Sequence, residues 1–400
     1  SQGYTINRIQ MAPGLNLNID NWDEEDYGFS IGEIITGLSS GAQGTIVAIT
    51  NKSGDMKNRN ATLELEDVSG TFITAETVDG DMSGRARVTG SGVETTGNLQ
   101  DDALAAPLLV NREDFYISDR IYVGNLYGNM YRVTDIGKHM TPQVSKLFSF
   151  NATDPNQDHP IRAKADYAYS ETDGEVWIYF GTGRYEIQAD KKDNTQQYFF
   201  GLKDDAQLQE YTLDSINVEL EARFATTQIN GNDITVRYVQ GSNGGAESWK
   251  MKLYEGTFPN GPAAAGSERV LSQPLVVAGI VFFTTFIPDE NVCAGTGESW
   301  LIAVDYNTGQ GATVPVFDLN SDGAFDASDK VLVNGEYVVP IGIKVGRGRG
   351  SQPVLHKNTM FVTITGDGSD DGGGGGEEFF ADDVNIPGKK IRIETWRQAH

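Results

Sequence analysis

The chain has 400 residues, too many for one ordinary hydrophobic core, and carries 31 Lys plus Arg against 56 Asp plus Glu, a formal charge of −25. A surface this acidic repels nucleic acid and anionic lipid and attracts cations, which argues against nucleic-acid and membrane-surface functions. The single cysteine, Cys293, forbids an intrachain disulfide, and the four histidines (His139, His159, His356 and His400) lack the spacing of a zinc or catalytic cluster.

Long helical periodicity is almost absent. Short runs of Val, Ile, Thr and aromatic residues alternate with Asn, Asp and Gly, the punctuation of many strands joined by tight turns, so the fold class expected is all-β. Residues 1–27 are polar, with an acidic cluster at Asp20, Asp23, Glu24, Glu25 and Asp26, and read as a lead-in strand or arm. Ser1 is read as a processing or gene-split point.

Residues 28–90 read as a small duplicated β module. Phe29, Glu33, Gly37 and Ser40-Gly41 return as Phe72, Glu76, Gly80 and Ser83-Gly84, all at an offset of 43 residues. The module resembles small β units of phage tail fibres and secreted appendage proteins. A Gly/Thr/Asp-rich stretch at 91–105 reads as a linker.

From 106 to 400 the repeating unit changes. Arg120–Gly124 and Asn129–Asp135 read as a hairpin, and comparable strand runs return at Val176–Tyr185, Tyr198–Asp204, Val276–Phe286, Ser299–Gly309 and Met360–Gly366. Repetition of this kind fits β-propeller blades, with the ring complete, incomplete or modified, and a β-sandwich as the alternative. The longest apolar run, Leu275–Ile287, is well short of the roughly twenty residues of a membrane span and reads as two buried strands. Cys293 reads as a small buried residue, and the Gly/Asp tract 366–378 as a solvated loop.

One stretch carries recognisable chemistry. Asp318, Asn320, Asp322, Asp326 and Asp329 stand at the first, third, fifth, ninth and twelfth positions of a loop whose sixth residue is Gly323. That is the ligand spacing of an EF-hand-type calcium loop: alternate side chains supply oxygens, glycine permits the turn, and Ala324 at the seventh position offers its carbonyl. Asp329 replaces the usual bidentate Glu with a chain one methylene shorter, so a tighter and weaker site is expected. Calcium is the cofactor expected.

The runs Asp119–Asp135, Tyr179–Glu186, Tyr198–Asp204, Ser267–Asp305 and Ile391–Gln398 resemble the C-terminal propeller of the PilY family of type IV pilus tip and biogenesis proteins. The resemblance implies an extracellular or cell-surface position at a pilus tip, reached through the periplasm. It further implies association with minor pilins, adhesion to a host or other surface receptor, and calcium binding that modulates pilus extension against retraction. The family's usual calcium position, before the strand equivalent to Arg120–Val123, carries Phe115 where a third alternate ligand belongs, so the calcium function is assigned to 318–329. The family's opening propeller motif and its von Willebrand A-like half have no counterpart in the sequence, from which a second chain completing the propeller is expected.

The sequence reads as non-enzymatic. A quinoprotein-like propeller enzyme shares the Asp305–Gly309 turn but needs a vicinal disulfide that one cysteine cannot make. No serine lies in a nucleophile elbow, and Cys293 has no nearby histidine. A structural filament or fibre subunit remains the alternative function.

Overall fold

The computed structural model describes residues 15–22, 29–30, 32–53, 59–69, 72–81, 85–89, 104–111, 118–134, 143–150, 159–170, 172–205, 209–243, 247–256, 266–289, 297–365 and 377–386. These residues are almost entirely strand and turn, and form two compact units, Ser1–Ala103 and Leu104–His400. Cys293, most of the 91–105 linker and most of the 366–378 tract lie outside the described residues.

The first unit is a closed six-stranded barrel of β1 (Leu15–Trp22), β2 (Ile34–Gly37), β3 (Gln43–Ser53), β4 (Arg59–Ser69), β5 (Thr77–Gly80) and β6 (Arg85–Val88), in the order β1-β4-β3-β2-β5-β6. Alternate residues Leu17, Ile19, Ile35, Ile46, Leu63, Leu65, Val78 and Val88 fill it. The expected lead-in strand or arm at 1–27 needs correction. Leu15–Trp22 pairs with β4 and β6 and closes the barrel, because Leu17 and Ile19 are apolar at period two within an otherwise polar stretch.

The duplication is visible in the topology. Exchanging β1 with β4, β2 with β5 and β3 with β6 returns the same set of strand pairings. It also explains the repeated Phe, Glu and Gly. Phe29 and Phe72 enter the core, while buried Glu33 and Glu76 each lie over the glycine of the other copy. A Cβ on Gly80 would stand 1.8 Å from Glu33 Oε1, and one on Gly37 2.7 Å from Glu76 Oε2. The Glu76 carboxylate accepts the N–H groups of Ile73 (2.5 Å), Ser40 (3.0 Å) and Ser39 (3.2 Å) and the Ser40 hydroxyl (3.0 Å). Burial pushes its pKa up, but these donors together outweigh burial and hold it below the ordinary value. The repeated glutamates are therefore clasps between the two halves of the barrel.

The second unit is built of stacked blades. The first is β7 (Leu108–Asn111), β8 (Ser118–Gly124), β9 (Met130–Thr134) and β10 (Gln143–Ser149). The second is β11 (Asp166–Tyr169), β12 (Val176–Gly181) and β13 (Tyr198–Asp204). After an excursion through β14 (Tyr211–Thr212), β15 (Val218–Ile229) and β16 (Asn232–Gln240), it closes with β17 (Trp249–Lys252). The third is β18 (Leu275–Val277), β19 (Ile280–Pro288) and β20 (Gly297–Asp305), then, after the hairpin β21 (Val331–Val333) and β22 (Glu336–Val338), β23 (Gly342–Arg347). The last contains β24 (Arg349–Gly350), β25 (Val354–His356), β26 (Thr359–Thr365) and β27 (Glu377–Asp383), with β24 and β25 sharing one edge of β26. The run Leu275–Ile287 is indeed two strands.

Strand alternation makes the stack. Ile178, Phe180 and Phe200 of the second blade face Leu108, Tyr122, Met130 and Phe148 of the first. Trp177, Tyr179, Phe199 and Trp249, on the opposite face, meet Val281, Phe283, Trp300 and Ile302 of the third. The other face of the third blade, with Phe282, Leu301 and Ala303, meets Met360, Val362 and Ile364 of the last. Each inner blade is thus apolar on both faces, which is why its strands read as continuous hydrophobic runs. The β15–β16 hairpin ties the outer edges of the second and third blades, β15 pairing with β17 and β16 with β23. The result is an all-β, propeller-like unit.

Candidate functional site

The loop Asp318–Asp329 lies between β20 and β23, in the excursion that precedes the outer strand of the third blade. Its entry is fixed against the last blade: Phe317 bridges Val384, and the Asn385 N–H donates to the Val316 carbonyl at 2.9 Å.

Inside the loop the carboxylates turn onto backbone amides. Asp318 accepts the N–H groups of Asp322 (3.2 Å) and Gly323 (2.7 Å), and Asp322 accepts that of Ala324 (2.8 Å). The Asn320 side-chain oxygen accepts the Asp322 N–H at 2.9 Å, and its amide group donates to Asp322 Oδ2 (3.0 Å) and Ser328 Oγ (2.8 Å). Gly323 has a φ of 81°, and no atom lies within 4 Å of the place a Cβ would occupy, so glycine is required here by backbone conformation and not by crowding. Ser321 also takes a positive φ, 57°, which its residue type did not signal.

Asp326 caps the short 3-10 turn Ala327–Asp329, accepting the Ser328 N–H and hydroxyl, each at 2.8 Å, and these bonds hold its pKa low. Asp329 is fully buried at the base, where it accepts the Leu319 N–H at 2.8 Å and the Asp326 N–H at 3.0 Å. The twelfth residue therefore fastens the two ends of the loop. Asp318, Asn320 and Asp322 are drawn together by these bonds, whereas Asp326 is turned toward Ser328 and Ala324 contributes its N–H. Among the described residues no three Asp, Glu, His or Cys side chains converge as a metal-holding group.

The donor set nonetheless fits a hard cation: all-oxygen, dense in carboxylate and turned by a glycine at the sixth position. Carboxylate oxygens that accept one amide hydrogen retain a further lone pair for a metal. Asp318, Asn320, Asp322, Asp326 and Asp329, with the Ala324 carbonyl, are the groups that would hold calcium, whose chemistry there would be neutralisation of their mutual repulsion.

Sequence reasoning missed two contributions from elsewhere in the chain. Asn230, in the Asn230-Gly231 turn between β15 and β16, donates to the Asn320 carbonyl at 3.1 Å. Across the loop, Asp382 and Asp383 of β27 share with Asp318, Ser321, Gly323 and Phe325 a recess of about 410 Å³. Burial, and then the charges of Asp318 and Asp383, push the Asp382 pKa above its ordinary value, with the Asp383 N–H partly opposing them. No spacing in the loop could reveal Asp382, because sheet pairing brings it there.

The repulsion around Asp382 exists only while it is ionised. Asp382→Asn is expected to raise the melting temperature of calcium-free protein at pH 7. That gain should shrink as the pH falls through the raised carboxyl pKa, because the parent then relieves the repulsion by protonation. Melting curves of both proteins from pH 7 to pH 4 in chelator check this; a gain independent of pH contradicts the electrostatic assignment.

Comparison with known proteins places this geometry. No family model matches the chain. A type IV pilus biogenesis factor PilY1 homolog of Xylella fastidiosa (strain Temecula1 / ATCC 700964) is 28% identical over 250 residues, covering 61% of this chain and 18% of the relative. PilY1 of Pseudomonas aeruginosa (strain PAO1), a type IV pilus biogenesis factor, is 23% identical over 288 residues, covering 62% of this chain and 24% of the relative. The crystal structure of the Pseudomonas aeruginosa PilY1 C-terminal domain superposes with a TM-score of 0.56 at 18% identity, over 91% of this chain and 74% of that one. In sequence and in fold the chain is similar to PilY1 proteins. It spans about a fifth of the length of these curated relatives. The PilY resemblance first carried by Asp119–Asp135 and Ser267–Asp305 thus extends to the fold. Among the described residues no helix is long and apolar enough to cross a membrane.

Proposed function

We propose that this chain is of the PilY family and belongs to a non-enzymatic, calcium-binding protein of the type IV pilus. It is secreted through the periplasm to the pilus tip, where it contacts minor pilins, modulates assembly against retraction and adheres to a surface receptor. The relatives are biogenesis factors of that pilus by name, and the likeness to the PilY1 C-terminal domain supports the transfer. The observation that carries the calcium reading is the loop itself: an EF-hand ligand spacing in which Asp318 receives the amides of the fifth and sixth residues and Asp329 fastens the base.

Association with further β structure has its own support. The outward face of the first blade carries a cross-strand apolar row, Leu109-Ile121-Val133-Val144, in which Leu109 is 53% and Val144 36% exposed, Ile121 is half-buried and Val133 is buried among the described residues. A propeller face of this kind is ordinarily covered by the next blade. A second chain completing the propeller would cover it.

The calcium reading is tested by melting. If the site has an affinity on the order of 10⁻⁴ M, as in extracellular calcium modules, about 10 mM calcium should stabilise the chain by about 2.7 kcal/mol relative to chelator. Asp318→Ala should abolish that difference while folding normally in chelator. Superimposable curves for the parent with calcium and with chelator would sink the reading.

A further inference from the structure

One residue of β27 breaks the pattern of its blade. Phe380, Asp382 and Val384, alternate along the strand, share the face that carries Met360 and Val362 of β26, Asp382 standing directly opposite Met360. Phe380 and Val384 pack into the apolar seam between the third and last blades, Val384 at 1% exposure. Asp382 is thus a half-buried carboxylate in a row of apolar side chains. A charge on such a face costs desolvation unless an opposite charge meets it.

The chain direction brings the acidic loop to this residue. Phe317 and Val384 form an antiparallel bridge, and the Asn385 side-chain amide donates to the Pro315 carbonyl at 3.1 Å. Residues leaving Phe317 therefore run back along β27, which sets Asp318, the first ligand position, beside the acids of the strand. Asp318 and Asp382 both line the recess of about 410 Å³, with Gly323 at the sharp turn of the loop. Asp383 also borders that recess, but it lies opposite Thr359 on the outer face, where its carboxylate accepts the Thr359 hydroxyl at 2.6 Å. The Asp382 carboxylate accepts the Asp383 N–H at 2.8 Å and keeps further lone pairs.

Within the loop the ninth position is the one most engaged elsewhere, since a single oxygen of Asp326 accepts both the amide and the hydroxyl of Ser328. Calcium takes about six to eight oxygens, and nothing requires all of them to be local in sequence. We propose that Asp382 is a further ligand of the calcium ion held by Asp318–Asp329, giving a carboxylate oxygen from the last blade across the recess. On the calcium reading proposed above, the ion then ties the excursion of the third blade to β27, and the affinity of the site depends on a residue that the loop sequence does not contain.

Calcium titration of the metal-free full chain, followed by the rise in melting temperature over each protein's own chelator baseline, tests this against the neighbouring acid. Asp382→Ala is expected to need about 10-fold or more calcium for the same rise. Asp383→Ala, which removes an equal charge from the other face, should change the requirement by less than about 3-fold. Asp382→Asn keeps the shape of the side chain but offers a poorer oxygen, so it should weaken binding too, and it guards against a folding defect in the alanine variant. Terbium, a luminescent stand-in for calcium, gives a second readout: its lifetimes in H2O and D2O should count about one more bound water in Asp382→Ala than in the parent, and no more in Asp383→Ala. Equal calcium requirements in the parent and Asp382→Ala, or equal weakening in the two alanine variants, overturn the ligand role and leave the calcium reading standing. No calcium response in the parent overturns both.

Discussion

Asp204→Ala is expected to lower the stability of the Leu104–His400 unit by about 3–5 kcal/mol, the cost of leaving buried charge without its partner. Asp204 ends β13 and is completely enclosed. Its carboxylate is contacted by the Arg132 guanidinium, itself fully buried, by the Tyr122 hydroxyl, and by Arg120 at 2.9 Å. Three donors from the first blade thus converge on one acid of the second. Burial, and then the Asp204 charge, push the Tyr122 phenol well up, so it remains a neutral donor at any ordinary pH. Removing the acid strands a guanidinium in the seam between blades. The control that separates charge from lost packing is Asp204→Ala with Arg132→Met, which removes the orphaned cation and should recover part of the loss. Urea melts of the two variants decide it. A single variant within about 1 kcal/mol of the parent would show that the seam is held by apolar packing alone.

A loss of similar size is expected for Glu268→Ala, from the opposite seam. Glu268 sits in the segment linking the second blade to the third, and both oxygens bind Arg237 of β16, at 2.6 and 2.8 Å. It also accepts the Thr285 hydroxyl and the Tyr254 N–H, the latter at 2.8 Å. The Arg237 guanidinium lies 4.1 Å from the centre of the Phe224 ring and donates to the Ala222 carbonyl at 2.8 Å. One acid therefore joins the bridging hairpin, the linker and β19. Glu268→Ala should cost about 3–5 kcal/mol, while Glu268→Gln, which keeps an acceptor for one of the Thr285 and Tyr254 donors, should cost less. Denaturant midpoints of the two variants compare them directly. Equal losses would mean that the retained acceptor contributes nothing once the charge is gone.

These anchors mark the limit of what the sequence disclosed. The blade strands are legible because each inner strand is apolar on both faces: the run Tyr198–Asp204 has the bounds of β13, and Arg120–Asp135 holds the β8–β9 hairpin. The calcium-loop spacing is legible because its ligands are local in sequence. β15–β16 was missed although Asn230-Gly231 between alternating residues is a strong hairpin signal, and the place of β1 in the barrel was missed because only Leu17 and Ile19 interrupt its polarity. Asp204, Glu268 and Arg237 were invisible for a different reason. In a chain with 56 acids, nothing local distinguishes the few that sheet stacking will bury. The duplicated glutamates show the converse: the 43-residue echo is plain, but its purpose, each acid resting on the other copy's glycine, required the closed barrel.

Isothermal titration of calcium into the metal-free protein decides whether the acidic loop Asp318–Asp329 holds calcium, as proposed. Binding of about one ion per chain, with a dissociation constant on the order of 10⁻⁴ to 10⁻³ M, is the expected result, and Asp322→Ala should remove it. No calcium-dependent heat in the parent, or the same heat in Asp322→Ala, would contradict it.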